Sequence, residues 1–164
     1  MGYRQVPLSR RLGLAFAEER YWRVSMPDAE CFMYFMAQMQ RLFGQGHTLY
    51  VEGRAIDDEV AALYLEESEP FPGPIGMMDR HSHCRRFHVR MGSGLSRRLN
   101  ALAARKTYAQ IGERMLVYDA VPELRMDGSR LGERIVRISG AVGESSVRRF
   151  AAGPLRGHVE WVEE

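Results

Sequence analysis

Three times along this chain, a segment with strand character gives way to an amphipathic helical stretch and then to a second strand-like segment. The first succession runs from Tyr21–Met26 to Thr48–Gly53, the second from Arg85–Met91 to Arg114–Ala120, and the third from Arg134–Ser139 to His158–Glu163. Strands need neighbours and an amphipathic helix needs a face to cover, so this order restricts the fold class severely. It predicts an α/β (or α+β) domain with a mixed sheet of about three strand-helix-strand (βαβ) units and helices packed on the sheet. No literal sequence repeat accompanies the pattern; the units share only the order and spacing of their elements.

The individual segments carry local reasons for these assignments. Tyr21 to Met26 is aromatic and β-branched, which suits extended structure, and Pro27 ends it. From Pro27 to Phe43 a helix is expected, with Phe32, Phe35, Met36, Met39, Leu42 and Phe43 on one wide apolar face. Cys31, Met33 and Tyr34 fall partly off that stripe, so the first half of the helix is apolar almost all round and must be deeply buried or covered by a partner. Met33, Tyr34 and Met36 are therefore candidate partner-surface residues. Asp57 caps a second predicted helix over 58–67, burying Val60, Leu63 and Tyr64.

The stretch 69–76 holds three prolines and two glycines, and reads as a surface loop between the first and second units. On Cys84–Met91, alternation places Arg86, His88 and Arg90 opposite Phe87 and Val89. A helix follows from Leu95 towards Gln110. Asp127-Gly128 between apolar residues signals a hairpin, and Gly143–Ala152 is a short helix burying Val147 and Phe150. Residues 1–20 fit helix or strand equally.

A chain of 164 residues can bury roughly 70% of its unfolded surface, so one compact domain over 1–164 needs no staples. No apolar run of membrane-spanning length and no signal-peptide pattern is present, so cytoplasmic residence without membrane association is the default expectation. Cys31 and Cys84 are too few for a disulfide framework and are expected as thiols.

Chemistry is concentrated between Met78 and Leu99. Gly92, Ser93 and Gly94 open a helix carrying Arg97 and Arg98, and Ser145 and Ser146 open another after Gly143. Such turns can aim backbone N–H groups at an anion, although ordinary serine-capped turns use the same residues. Neither turn is a Walker A loop or a dinucleotide fingerprint, and no cofactor is expected. His81, His83 and Cys84 have ligand chemistry suited to zinc, yet their spacing matches no closed site.

The arginine cluster over 80–105, with Phe87 interleaved, permits nucleic-acid contact through phosphates. Against that stand a net charge of only +2 and the acidic end Glu160, Glu163, Glu164. Of 23 basic residues only Lys106 is lysine, a bias that extends to plain surface positions. No catalytic constellation converges. The residues thus lead to a non-enzymatic binding or protein-interaction module that self-associates, with recognition of an anionic small molecule at the glycine turns as the alternative and nucleic-acid binding as the next.

Overall fold

The computed structural model describes residues 20–43, 46–69, 85–119, 122–127 and 134–163. His81, His83, Cys84, Gly128 and nearly all of the 69–76 loop lie outside the described residues, as do residues 1–19.

The chain runs β1 (Arg20–Met26), α1 (Ala29–Leu42), β2 (Thr48–Gly53), α2 (Asp58–Glu66), β3 (Arg85–Arg90), α3 (Ser93–Ala103), α4 (Tyr108–Ile111), β4 (Arg114–Tyr118), β5 (Pro122–Asp127), β6 (Arg134–Ser139), α5 (Glu144–Phe150), a 3-10 turn (Gly153–Leu155) and β7 (Val159–Glu163). The seven strands of the described residues form one sheet in the order β3-β2-β4-β5-β6-β1-β7, and every neighbouring pair is antiparallel. Helices and an antiparallel sheet make this an α+β protein.

The three expected parallel βαβ units do not form. The strands joined through each helix do run in the same direction, but another strand separates them: β2 lies between β3 and β4, and β1 between β6 and β7. Three strands lie between β1 and β2. A hydrophobic pattern marks which face of a strand is buried and says nothing about its neighbour. In the same way β5 lies between β4 and β6 and pairs antiparallel with both.

The helices of the described residues lie on one face. Val24, Met26, Leu49, Val51, Phe87, Val89, Met115, Val117, Leu124, Met126, Val136 and Ile138 belong to the same buried cluster as the inward residues of the helices. At its centre is α1, which Asp28 caps by accepting from the Cys31 backbone N–H at 2.8 Å. Phe35, Met36 and Met39 are completely buried. Met36 is consequently a core residue and not a partner surface, while Met33 remains 41% exposed and Tyr34 is half-buried against Gly153. The apolar girth of the helix is used within the chain, against α3, α5 and β1.

Helix α3 ends at Ala103, short of the expected Gln110. Thr107 and Gln110 form a reciprocal capping box that starts α4. Capping satisfies orphan N–H groups and favours a fresh start at threonine over a continued turn.

Ion pairs brace the helix layer. Hydrogen bonds from Lys106, Arg105 and Arg98 hold the carboxyls of Asp57, Glu59 and Glu66 below their ordinary values, and the Cys31 backbone N–H does the same for Asp28. A depressed folded-state pKa stabilises the fold above the ordinary carboxyl range and loses that contribution as pH falls through the folded values. The melting temperature is therefore expected to be flat from about pH 7 to 5.5 and to decline below about pH 4.5. A melting series across that range checks it; a rise on acidification contradicts these pairings.

Candidate functional site

The face of the sheet that carries no helix among the described residues collects the outward residues of the seven strands. Three rows cross its β3-β2-β4 end: Arg86, Glu52 and Arg114; His88, Tyr50 and Leu116; Arg90, Thr48 and Tyr118. The middle row continues across the whole sheet, because Leu116 faces Arg125, Arg125 faces Arg137, Arg137 faces Arg23, and Arg23 faces Glu160. Three arginines thus stand directly opposite one another on β5, β6 and β1.

The two ends of this face differ in composition. At the β3-β2-β4 end, Glu52 accepts from the Tyr50 hydroxyl at 2.6 Å and from Arg114 at 3.3 Å. Glu69 accepts from Thr48 at 3.2 Å and from Arg90 at 2.7 Å. His88 Nε2 is hydrogen-bonded to the Tyr118 hydroxyl, and the two rings stack at 19°. Burial, with the charge of Glu69 behind it, pushes the Tyr118 phenol up to about 12; burial and Glu52 raise Tyr50 further. Both phenols keep their protons at neutral pH, which makes them fixed hydrogen-bonding groups and poor general bases.

At the β5-β6-β1 end three arginines face one another. The Arg137 guanidinium lies 5.1 Å from the centre of the Tyr21 ring, and Arg23 is paired with Glu160 at the row's end. Glu123, on the same strand as Arg125, is engaged by His47. Facing positions on neighbouring strands bring Cβ atoms within about 5 Å, and like charges placed there destabilise a sheet. Arg125 and Arg137 each engage a further partner and Arg23 is paired with Glu160, so none stands as a bare charge in this row.

The two glycine turns are separate places. Gly92 caps α3 and Gly143 caps α5 without side-chain hydrogen bonds, at the ends of β3 and β6, four strand positions apart. That is about 19 Å, too far to share a small anion. At the first turn Arg98 is paired with Glu66, and a Cβ on Gly94 would lie 3.5 Å from a Glu67 carboxylate oxygen, so the local field is not purely positive. Arg97 is exposed; the side chain of Ser93 is not described. At the second turn Ser145 is exposed and Ser146 half-buried beside the Glu144–Arg148 pair.

The 80–105 arginine cluster is likewise tempered. Arg85, Arg90, Arg98 and Arg105 pair with Asp58, Glu69, Glu66 and Glu59. Among the described residues, no three histidine, cysteine, aspartate or glutamate side chains gather into a metal site. Cys31 is buried, its S–H directed at the Pro154 carbonyl, and burial pushes its thiol up.

Arg23, Arg125 and Arg137 are the site residues that local sequence reasoning does not reveal. Each is flanked by inward-facing core residues, Trp22 and Val24, Leu124 and Met126, Val136 and Ile138, so its outward direction is legible. Their juxtaposition is not, because it depends on strand order. No family model, curated protein or solved structure matches the chain. Among the described residues, no helix is long and apolar enough to cross a membrane.

Proposed function

We propose that this chain is a non-catalytic binding module whose recognition surface is the helix-free face of the sheet. One observation carries the reading: the helices of the described residues pack on the opposite face, and the other face presents the half-buried Arg125, Arg137 and Arg23 on three adjacent strands. Self-association through α1 receives less support, since the core takes up Phe32, Phe35 and Met36.

The test is a thermal-shift series with phosphates, nucleotides, organic acids and single-stranded oligonucleotides, because a ligand that binds only the folded state raises its melting temperature by mass action. Ile135 is 40% exposed and on the same face as Arg137, so Ile135→Glu obstructs this surface without altering an arginine. A stabilising ligand should lose its effect in Ile135→Glu and keep it in Arg148→Gln, which alters the helix layer. Loss only in Arg148→Gln, or turnover of any of these compounds, overturns the proposal.

A further inference from the structure

We infer that β7 is a self-docking edge: a second copy of this chain lays its own β7 antiparallel against it, so that two sheets continue as one across a two-fold axis at Trp161. Among the described residues β7 has one strand neighbour, β1. The Ser25 N–H donates to the His158 carbonyl at 2.9 Å, which fixes which residues of β7 bond to β1. Backbone groups alternate between the two sides of an antiparallel strand. Glu160 and Val162 therefore turn theirs to Arg23 and Tyr21, while Val159, Trp161 and Glu163 aim their N–H and C=O groups at the open side. The opposite edge of the sheet is covered. There the Glu69 N–H donates to the His88 carbonyl at 2.7 Å, and the Arg90 N–H donates to that of Glu67 at 3.0 Å.

Edge strands are commonly protected from pairing by exposed charge. On β7 the charges are drawn back towards β1. Glu160 is paired with Arg23, and Glu163 stands 3.9 Å from Arg20 while accepting from Trp161 Nε1 at 3.0 Å. Trp161 is 40% exposed and lies against Trp22 with ring centroids 4.6 Å apart, an apolar surface beside the open backbone groups.

The residues Val159–Glu163 commit this edge to a copy of itself. A ladder closes only where outward-bonding residues stand opposite one another. With Trp161 facing Trp161 of the second copy, Val159 faces Glu163 and Glu160 faces Val162. All three outward residues then bond, through about six backbone hydrogen bonds, and no glutamate faces another. A register centred on Glu160 sets two like charges opposite each other, and one centred on Val162 leaves Val159 without a facing strand residue. A contact of one short strand buries less than the roughly 1,200 Å² at which stable complexes begin, so the dimer is reversible and forms at high micromolar concentration.

Sedimentation equilibrium of the full chain from about 10 μM to about 1 mM tests this. The expected result is a monomer–dimer equilibrium. Val162→Lys faces Glu160 of the second copy at two symmetric places and should tighten it about threefold or more; Val162→Glu at the same places should loosen it by a similar factor or more. Val159→Pro removes an N–H aimed at the open side, is compatible with the first residue of an edge strand, and should abolish the dimer. Met33→Glu, on the exposed side of α1, should leave the equilibrium unchanged. Circular dichroism and melting establish that each variant is folded. A dimer kept in Val159→Pro, a dimer lost in Met33→Glu, or equal shifts from the two Val162 variants overturns the proposal. A chain that stays monomeric to about 1 mM assigns the edge to another occupant and overturns it as well, as does open-ended assembly, because a two-fold contact closes on itself.

Discussion

Replacing Phe35 by alanine is expected to lower folding stability by about 3–5 kcal/mol. In a chain of this length that corresponds to a fall in melting temperature of roughly 10 °C or more. Phe35 is wholly buried in α1 and meets Phe150 of α5 edge-on, with centroids 5.7 Å apart and ring planes at 89°. Truncation removes the transferred apolar surface and leaves a cavity where two helices meet the sheet. Urea unfolding followed by circular dichroism should show a lower midpoint with an unchanged slope. Phe35→Leu should lose less, because it retains most of the apolar volume. A loss below about 1 kcal/mol for the alanine variant would place the centre of the core elsewhere.

Gly140→Ala addresses the corner where β6 leaves the sheet. A Cβ there would stand 2.7 Å from the Arg20 carbonyl oxygen and 3.0 Å from Trp161 Cη2. The Gly140 N–H donates to that same carbonyl at 3.1 Å, so the two backbones cannot separate without losing the bond that ties β1 to the end of β6. Overpacking of this kind costs about 1–3 kcal/mol. The Trp22 and Trp161 rings lie 4.6 Å apart at this corner, so displaced Trp161 should also report as a change in tryptophan emission. Gly94→Ala is the contrast: it sits in α3 with only a carboxylate oxygen at 3.5 Å, and alanine favours helix, so it should be neutral or slightly stabilising. Equal behaviour of the two variants would contradict the close approach at Gly140.

Much of the local structure is legible in the residues. Tyr21–Met26 is strand and Asp57 is an N-cap because chain-local chemistry decides both. The alternation along β3 correctly separates Arg86, His88 and Arg90 from Phe87 and Val89, since a strand's faces follow from its period of two. Pairing is another matter. Whether β3 sits beside β4 or beside β2 depends on which hydrogen-bonding edge reaches which, and β2 takes the place between them.

The site was hidden for the same reason. Arg97 and Arg98 attract attention because they are adjacent in sequence, yet Glu66 lies against Arg98 across the helix layer. Arg23 and Arg137 are more than a hundred residues apart and meet only because β1 inserts between β6 and β7. Conversely, the first helix's apolar girth invites a partner until α3 and α5 are seen to supply the contacts from within.

Ile135→Glu offers the most direct test of the claim that the sheet face opposite the helices serves binding and not folding. Ile135 is 40% exposed and lies on the same face as Arg137, so the substitution gives up little buried apolar surface. Melting the ligand-free variant beside the wild-type chain, with and without phosphates, nucleotides or organic acids, reads both sides at once. The expected result is a ligand-free melting temperature close to that of the wild type, with the ligand-induced rise abolished. A melting temperature several degrees lower, or a ligand-induced rise that survives the substitution, would contradict it.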